Sequence, residues 1–326
     1  MSWLKKAFLN PAEKAVTGAI GKLGTVNDTK SVVTIGIRGS GKTAVLGCIE
    51  LCADLKSQRV PNFSHMLRER SSGMRQVPCD LARGRFPAAT PPGIIYEADE
   101  IMRWKYPFGE RKVVMSFCET AGEDIQNIAG RFTDSVYEQN TDWQNAETLN
   151  RYICNANGYL MMLPVSLTDI PGMPKIESPP EGLHADPDLS AARILSQIYG
   201  FKQDSGSPPI DGIGVIFTKY DLVEPYCKAN GMNLYTHEGA QKFMETFFRQ
   251  TSAVLKYYNE DNSLDKVKFF PFHIQVKRKD LGNGESELMR GPNGYEIARD
   301  PRRNLPVFSE QSGYDIIDWI GDTFAR

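Results

Sequence analysis

Apolar and polar residues follow one another along the chain in blocks that predict strands and helices in alternation. Short apolar runs predict buried strands, and apolar residues at helical spacing predict helices that pack with one face. The predicted strands cover residues 31–37, 94–104, 112–117, 159–165, 213–217 and 267–276. The predicted helices cover residues 42–56, 147–156, 189–199 and 238–258, and a closing helix contains 316–324. This order favours an α/β fold, a doubly wound and mostly parallel sheet with helices on both faces.

Three long connections interrupt the alternation and are expected to be insertions within one domain of residues 31–326. They lie near residues 57–92, 166–188 and 277–310. The first is rich in arginine, and its arginines fit a solvated surface with local ion pairs as well as contacts to phosphates or an acidic partner. The turn sequence Tyr106-Pro107-Phe108-Gly109 predicts that the second and third strands form a hairpin.

Residues 1–30 are predicted to form an amphipathic helical appendage to this domain. Trp3 and Phe8 share a face beside Lys5 and Lys6, and small apolar residues follow at helical spacing up to Leu23. Two interpretations of residues 1–25 stay open. The helix docks on its own domain or on a partner, or it makes a peripheral contact with a membrane surface.

Composition narrows the classes of partner. The 326 residues carry a net charge of -2, which gives no electrostatic case for a nucleic-acid role. No apolar run is long enough to cross a bilayer, and no signal peptide is expected. Six cysteines without a C-x-x-C pair predict free thiols in the reducing cytoplasm, and the four histidines lack metal-ligand spacing.

The chemistry of the chain centres on one glycine-rich stretch between the first predicted strand and the first predicted helix. It fits the phosphate-loop pattern G-x-x-x-x-G-K-[ST] and consists of Gly36, Ile37, Arg38, Gly39, Ser40, Gly41, Lys42 and Thr43. Glycines let backbone N–H groups approach phosphate oxygens, and the helix N-terminus adds partial positive charge. Lys42 would hold the β- and γ-phosphates, and Thr43 would offer its hydroxyl to Mg²⁺. The competing interpretation is a glycine turn with an incidental Lys-Thr pair.

Two further motifs follow strands in the expected order. Glu119–Glu123 comes after the predicted hairpin, and Thr218-Lys219-Tyr220-Asp221 comes after the strand 213–217. Together with the glycine loop, they resemble the phosphate loop, the D-x-x-G switch motif and the [NT]-K-x-D base-reading motif of Ras-like P-loop GTPases. The resemblance covers about residues 31–276 and the closing helix, and it is at the level of the class.

The resemblance implies roles for individual residues. Nucleotide binding would involve the loop residues Gly36, Arg38, Gly39, Ser40, Gly41, Lys42 and Thr43, and also Gly122, Thr218, Lys219 and Asp221. Asp221 would accept two N–H donors of guanine, although an ordinary cap between strand and helix is its plain alternative. Mg²⁺ would be held by Thr43, by Glu119 and by Thr90, a threonine that fits a plain turn equally well. The last base-contacting loop is expected after residues 272–275.

Three positions depart from the family pattern. Glu119 is one methylene longer than the family's aspartate. Glu123 stands where those enzymes place a glutamine that orients water, so it would act as a base or repel the γ-phosphate. Arg38 replaces a small residue, and it would act as an arginine finger or crowd an external one. The catalytic candidates are therefore Lys42, Glu123 and Arg38.

The implied function is a guanine-nucleotide-binding protein, with GTP or GDP and Mg²⁺ as its ligands. It would be a slow Mg²⁺-dependent GTPase that acts as a molecular switch, contacting a protein partner through its switch regions and insertions. One alternative is a nucleotide-binding structural or assembly protein with little or no turnover. A third interpretation is an ATPase whose base motif is only apparent.

Overall fold

The computed structural model of the chain describes residues 30–36, 39–70, 73–88, 95–120, 153, 155–165, 186–204, 208–259, 263–282, 286–291 and 294–325. Within them, the principal strands are β1 (Lys30–Gly36), β2 (Phe63–Glu69), β3 (Ile95–Tyr106), β4 (Gly109–Thr120), β5 (Gly158–Pro164), β6 (Gly212–Thr218) and β7 (Val267–Phe272). The helices are α1 (Lys42–Arg59), α2 (Gln76–Ala82), α3 (Pro187–Asp204), α4 (Glu224–Ala229), α5 (His237–Phe247), α6 (Arg249–Tyr258) and α7 (Glu310–Phe324). A 3₁₀ turn, Tyr220–Leu222, follows β6.

The seven strands form one sheet in the order β2-β3-β4-β1-β5-β6-β7. From β4 to β7 all neighbouring strands are parallel, whereas β3 runs antiparallel to β4 and to β2. This confirms the predicted α/β architecture with a mostly parallel sheet and a β3–β4 hairpin. Because sequential parallel strands need crossovers, the helices between them are carried onto the faces of the sheet.

Helices cover both faces of the sheet, as predicted. Alternate side chains of each parallel strand point to opposite faces of the sheet. In β1, Val33 and Ile35 therefore pack on one face and Val32 packs on the other. One buried cluster joins the sheet to α3, α5 and α6, and a second joins it to α1 and α7. β5 is buried along its entire length, which is why it is a continuous apolar run rather than an alternating one.

The segment 57–92 is not a simple connection, contrary to the prediction. Residues 57–59 complete α1, and the segment then contributes the edge strand β2 and the helix α2. β2 pairs with β3 from Phe63 opposite Trp104 to Glu69 opposite Ala98. The strand was not predicted because four of its seven residues are polar, which obscures the apolar run that indicates a buried strand.

Other element boundaries also differ from prediction: α3 extends to Asp204 and β4 begins at Gly109. The helix expected over 238–258 is two helices, since Phe248 adopts φ -121° and ψ 56° between α5 and α6. The last core strand ends at Phe272 instead of Val276. Beyond it, short pairings replace the expected irregular segment 277–310: β8 (Arg278–Asp280) with β9 (Ser286–Leu288), and β10 (Arg290–Gly291) with β11 (Gly294–Tyr295).

Some predicted segments lie outside the described residues. They are the appendage 1–29, all of the helix 147–156 except Ile153, Asn155 and Ala156, and positions 166–185 of the second insertion.

A polar cluster attaches α1 to the added edge strand. The imidazole of His65 on β2 has its Nδ1 2.5 Å from Glu100 Oε1 and its Nε2 2.9 Å from Asp54 Oδ1. Burial alone would lower the pKa of His65, but the hydrogen bonds to Glu100 and Asp54 outweigh it and raise that pKa. Burial raises the pKa of nearby Glu50 to about 8, with the charge of Glu100 adding to the effect. The cluster therefore holds protons more tightly than its isolated groups would.

Candidate functional site

The glycine loop lies at the carboxyl end of β1 and leads directly into α1. Gly39 and Gly41 have φ of 72° and 78°, the left-handed region in which a side chain would be strained. Gly41 precedes the first residue of α1, and its carbonyl accepts a hydrogen bond from Val45 N at 2.9 Å. The glycines of the motif thus serve the turn that its sequence pattern predicted.

Close packing explains the first glycine of the motif. A Cβ on Gly36 would lie 2.7 Å from Ser40 Oγ and 3.2 Å from Met162 Cβ. Ser40 is itself buried, and its Oγ has no hydrogen-bond partner among the described residues. A buried hydroxyl without a partner is costly, so this atom gains from any ligand or water that reaches the loop.

Lys42 and Thr43 occupy the first turn of α1. Lys42 is only 5% exposed, which is unusual for a lysine and places its charge inside the protein beside the glycine turn. The first turn of α1 contains no acidic residue. Backbone N–H groups and the Lys42 ammonium thus concentrate positive potential at the start of this helix.

A hydrogen bond joins the glycine loop to the second motif. Thr218 is the last residue of β6, and its Oγ1 donates to the backbone carbonyl of Ser40 at 2.7 Å. Thr218 is buried, and the two residues are 178 positions apart in the sequence. The structure therefore brings the phosphate-loop candidates and the T-K-x-D candidates to one edge of the sheet.

Lys219 and Asp221 lie in the turn that follows β6. Lys219 has a left-handed backbone with φ 61° and an exposed side chain. Desolvation by neighbouring protein atoms lowers the pKa of its ammonium group, and the charge of Asp221 opposes this effect. Burial raises the pKa of Asp221, an effect that His273 and Arg278 oppose. A partly desolvated carboxylate gains most from a ligand that donates hydrogen bonds to it.

His273 is a neighbour of Asp221 whose own role no motif indicated. It follows β7 directly, and β7 is parallel to β6 with Phe272 opposite Thr218. Ser309 holds it through three hydrogen bonds: His273 N donates to Ser309 Oγ, Ser309 N donates to the His273 carbonyl, and Ser309 Oγ lies 2.8 Å from His273 Nδ1. The sequence predicted a further base-contacting loop only after residues 272–275, so His273 was placed in the strand that in fact ends at Phe272.

Glu119 reaches the same edge through the backbone of β4. The parallel register pairs Val33 with Ser116, and Gly36 and Glu119 each follow three residues later on their strands. The two residues are therefore level at the carboxyl ends of neighbouring strands. Hydroxyl and carboxylate oxygens are hard ligands that suit Mg²⁺, so Thr43 at the start of α1 and Glu119 near the end of β4 are residue types that could hold that ion.

The other predicted site residues lie outside the described part of the chain: Arg38, Thr90, Gly122 and Glu123. No group of three or more His, Cys, Asp or Glu side chains that could hold a metal occurs within the described residues. The predicted Mg²⁺ ligands would not form such a group, because two of the three are threonines.

Comparison with protein-family models and with curated proteins finds no match for the chain. Among the described residues, no helix is both long enough and apolar enough to cross a membrane.

Proposed function

We propose that the chain binds a guanine nucleotide at the edge formed by β1, β4, β6 and β7, and that it is a slow Mg²⁺-dependent GTPase of the Ras-like P-loop class. The hydrogen bond from Thr218 to Ser40 carries this proposal. It holds a phosphate-type loop and a base-reading-type loop in one fixed arrangement, so that a single ligand can contact both.

The sheet order supports the class assignment. A hairpin beside the first strand, followed by successive parallel strands on its other side, is the order that the Ras-like resemblance implies, with β2 added at the edge. Ligands of such open sheets bind outside the carboxyl ends of the strands. The glycine loop and Asp221 both lie there.

Each residue has a physical task in this proposal. The glycine loop and Lys42 would bind the phosphates, and Asp221 would accept the two N–H donors on one edge of guanine. Thr43 and Glu119 would hold Mg²⁺, which neutralises phosphate charge when bound. Phosphoryl transfer needs positioning and charge neutralisation above all, which are the tasks these residues can perform.

A nucleotide titration tests the proposal. We expect Mg²⁺-dependent binding of GTP and GDP in preference to ATP, with general loss of nucleotide in Lys42→Ala and loss of guanine preference in Asp221→Ala. Lys268→Ala is the matched control, because Lys268 is an exposed lysine near the opposite end of β7. Normal nucleotide binding by Lys42→Ala would refute the site assignment.

A nucleotide-binding assembly protein with little turnover is the second candidate. The observation that favours it is the carboxylate at position 123, where Ras-like enzymes use a glutamine to orient water. Phosphate-release measurements on the same samples distinguish the two. Bound guanine nucleotide without phosphate release would select the assembly role, whereas sustained release would select the GTPase.

A further inference from the structure

The tip of the β3–β4 hairpin is an exposed, basic and aromatic projection. Residues 105–111 are all exposed, and Phe108 at the turn is exposed over its whole side chain, at 103% of its reference area. Tyr106 is also exposed, at 44%. Two exposed aromatic side chains at the same tip give it an apolar surface, and exposed apolar surface rimmed by polar residues is typical of interaction sites.

Basic residues surround these aromatic rings. Residues 103–112 contain four basic side chains and one acidic side chain, although the entire chain carries a net charge of -2. The acidic residue, Glu110, lies 3.5 Å from Arg103 as an ion pair. Arg111 packs over the Tyr106 ring at 4.9 Å, which keeps its charge beside the aromatic surface. Three positive charges remain uncompensated within this short segment, those of Lys105, Arg111 and Lys112.

The hairpin tip lies beyond the pairing of the hairpin with its neighbouring strands among the described residues. β1 pairs with β4 from Lys30 opposite Val113 onward, and β2 pairs with β3 as far as Phe63 opposite Trp104. Residues 105–111 are therefore paired within their own hairpin, apart from the hydrogen bond that Lys105 N donates to the Asn62 carbonyl.

The tip lies opposite the candidate nucleotide site. It precedes β4, whereas the glycine loop follows β1, and the two strands are parallel. A surface that meets the tip therefore lies at the end of the sheet opposite the glycine loop.

We propose that residues 105–112 dock the protein onto an anionic lipid surface. Phe108 enters the headgroup region, and Lys105, Arg111 and Lys112 contact the lipid phosphates. The docked protein directs its nucleotide site away from the membrane. This inference does not depend on the proposed function, since it uses a different end of the sheet.

Vesicle co-sedimentation of the 326-residue chain tests the proposal. We expect binding to phosphatidylcholine vesicles that contain phosphatidylserine, weak binding to phosphatidylcholine alone, and release by salt, since surface charge attraction is screened. Phe108→Ala should reduce binding to the anionic vesicles about tenfold, from the loss of one inserted aromatic side chain. Replacing both Lys105 and Arg111 by Gln should weaken the dependence on phosphatidylserine, since Lys112 alone then remains of the three basic contacts.

Tyr257→Ala is the matched control for the aromatic change, because Tyr257 is 78% exposed on α6. It should bind anionic vesicles as the wild type does. All variants should melt at the wild-type temperature, because the substituted side chains face solvent. If the wild type ignores anionic vesicles, or if Phe108→Ala binds them equally well, the tip is not a lipid contact and the proposal is overturned. Salt-insensitive binding that persists in the Lys105/Arg111 variant would overturn the role of the basic residues.

Discussion

Two buried threonines in the central sheet permit a direct test of the contact between the two loops. Thr218 donates its hydroxyl to the Ser40 carbonyl, whereas Thr34 Oγ1 in β1 is buried without a hydrogen-bond partner among the described residues. Both residues are at most 3% exposed. Replacement by valine keeps the shape of the side chain and removes only the hydroxyl, so the same substitution has opposite consequences at the two sites.

The expected magnitudes follow from hydrogen bonding. Thr218→Val removes a buried hydrogen bond and leaves the Ser40 carbonyl without that donor, which should lower the free energy of unfolding by about 1–3 kcal/mol. Thr34→Val removes a desolvated hydroxyl that gains nothing from burial, which should raise the free energy of unfolding by about 1 kcal/mol. The two variants should therefore differ by about 2–4 kcal/mol.

Urea unfolding followed by far-ultraviolet circular dichroism measures this difference. The slope of the unfolding free energy against urea concentration must be equal in the two variants, because equal slopes show that the same surface is exposed on unfolding. Thr218→Ser is the matched control, since it keeps the hydroxyl and should recover most of the lost stability. If Thr34→Val destabilises the protein as much as Thr218→Val does, the hydrogen-bond assignment is wrong. If Thr218→Val loses stability but binds nucleotide normally, the contact does not organise the proposed site.

Three further predictions concern stability elsewhere. The raised pKa of Glu50, about 8, means that the native state retains a proton which the unfolded state releases above about pH 4.5. The stability that this proton contributes is therefore lost as the pH rises from about 4.5 to about 8. In urea titrations at successive pH values, Glu50→Gln should reduce the slope of the unfolding free energy against pH by up to about 1.4 kcal/mol per pH unit in this range. Asp188 accepts hydrogen bonds from the backbone N–H groups of the first turn of α6, so Asp188→Ala should cost about 1–3 kcal/mol, with Asp188→Asn retaining part of it; an unchanged melting temperature would contradict this. A Cβ on Gly158 would overlap the ring of Phe324, so Gly158→Ala should cost about 1–3 kcal/mol in the same assay, whereas Gly200→Ala, in open space, should not destabilise.

Local patterns identified the core strands and the start of the candidate site. The strand β5 and the closing helix α7 are visible in the sequence because continuous apolar runs and helical periodicity depend only on neighbouring residues. The left-handed turns at Gly39 and Gly41 are also local, since glycine alone adopts them without strain. These features required no knowledge of distant parts of the chain.

Elements whose form depends on distant residues were missed or misplaced. β2 has a mixed polar pattern and exists as a strand because β3 supplies its hydrogen bonds. The break at Phe248 lies within a continuous helical pattern, and it arises where α5 and α6 pack separately against the core. Tertiary packing outweighed local propensity at both places.

The chain by itself determined which residues could form a phosphate loop and which carboxylate could read a base, because side-chain chemistry and short-range spacing are properties of the sequence. Only the tertiary structure decided that these residues meet. The parallel order of β4, β1, β5, β6 and β7 carries their carboxyl ends to one edge, and there Thr218 bonds to Ser40 across 178 positions. Such proximity is set by strand pairing and burial over the whole sheet, which no local segment encodes.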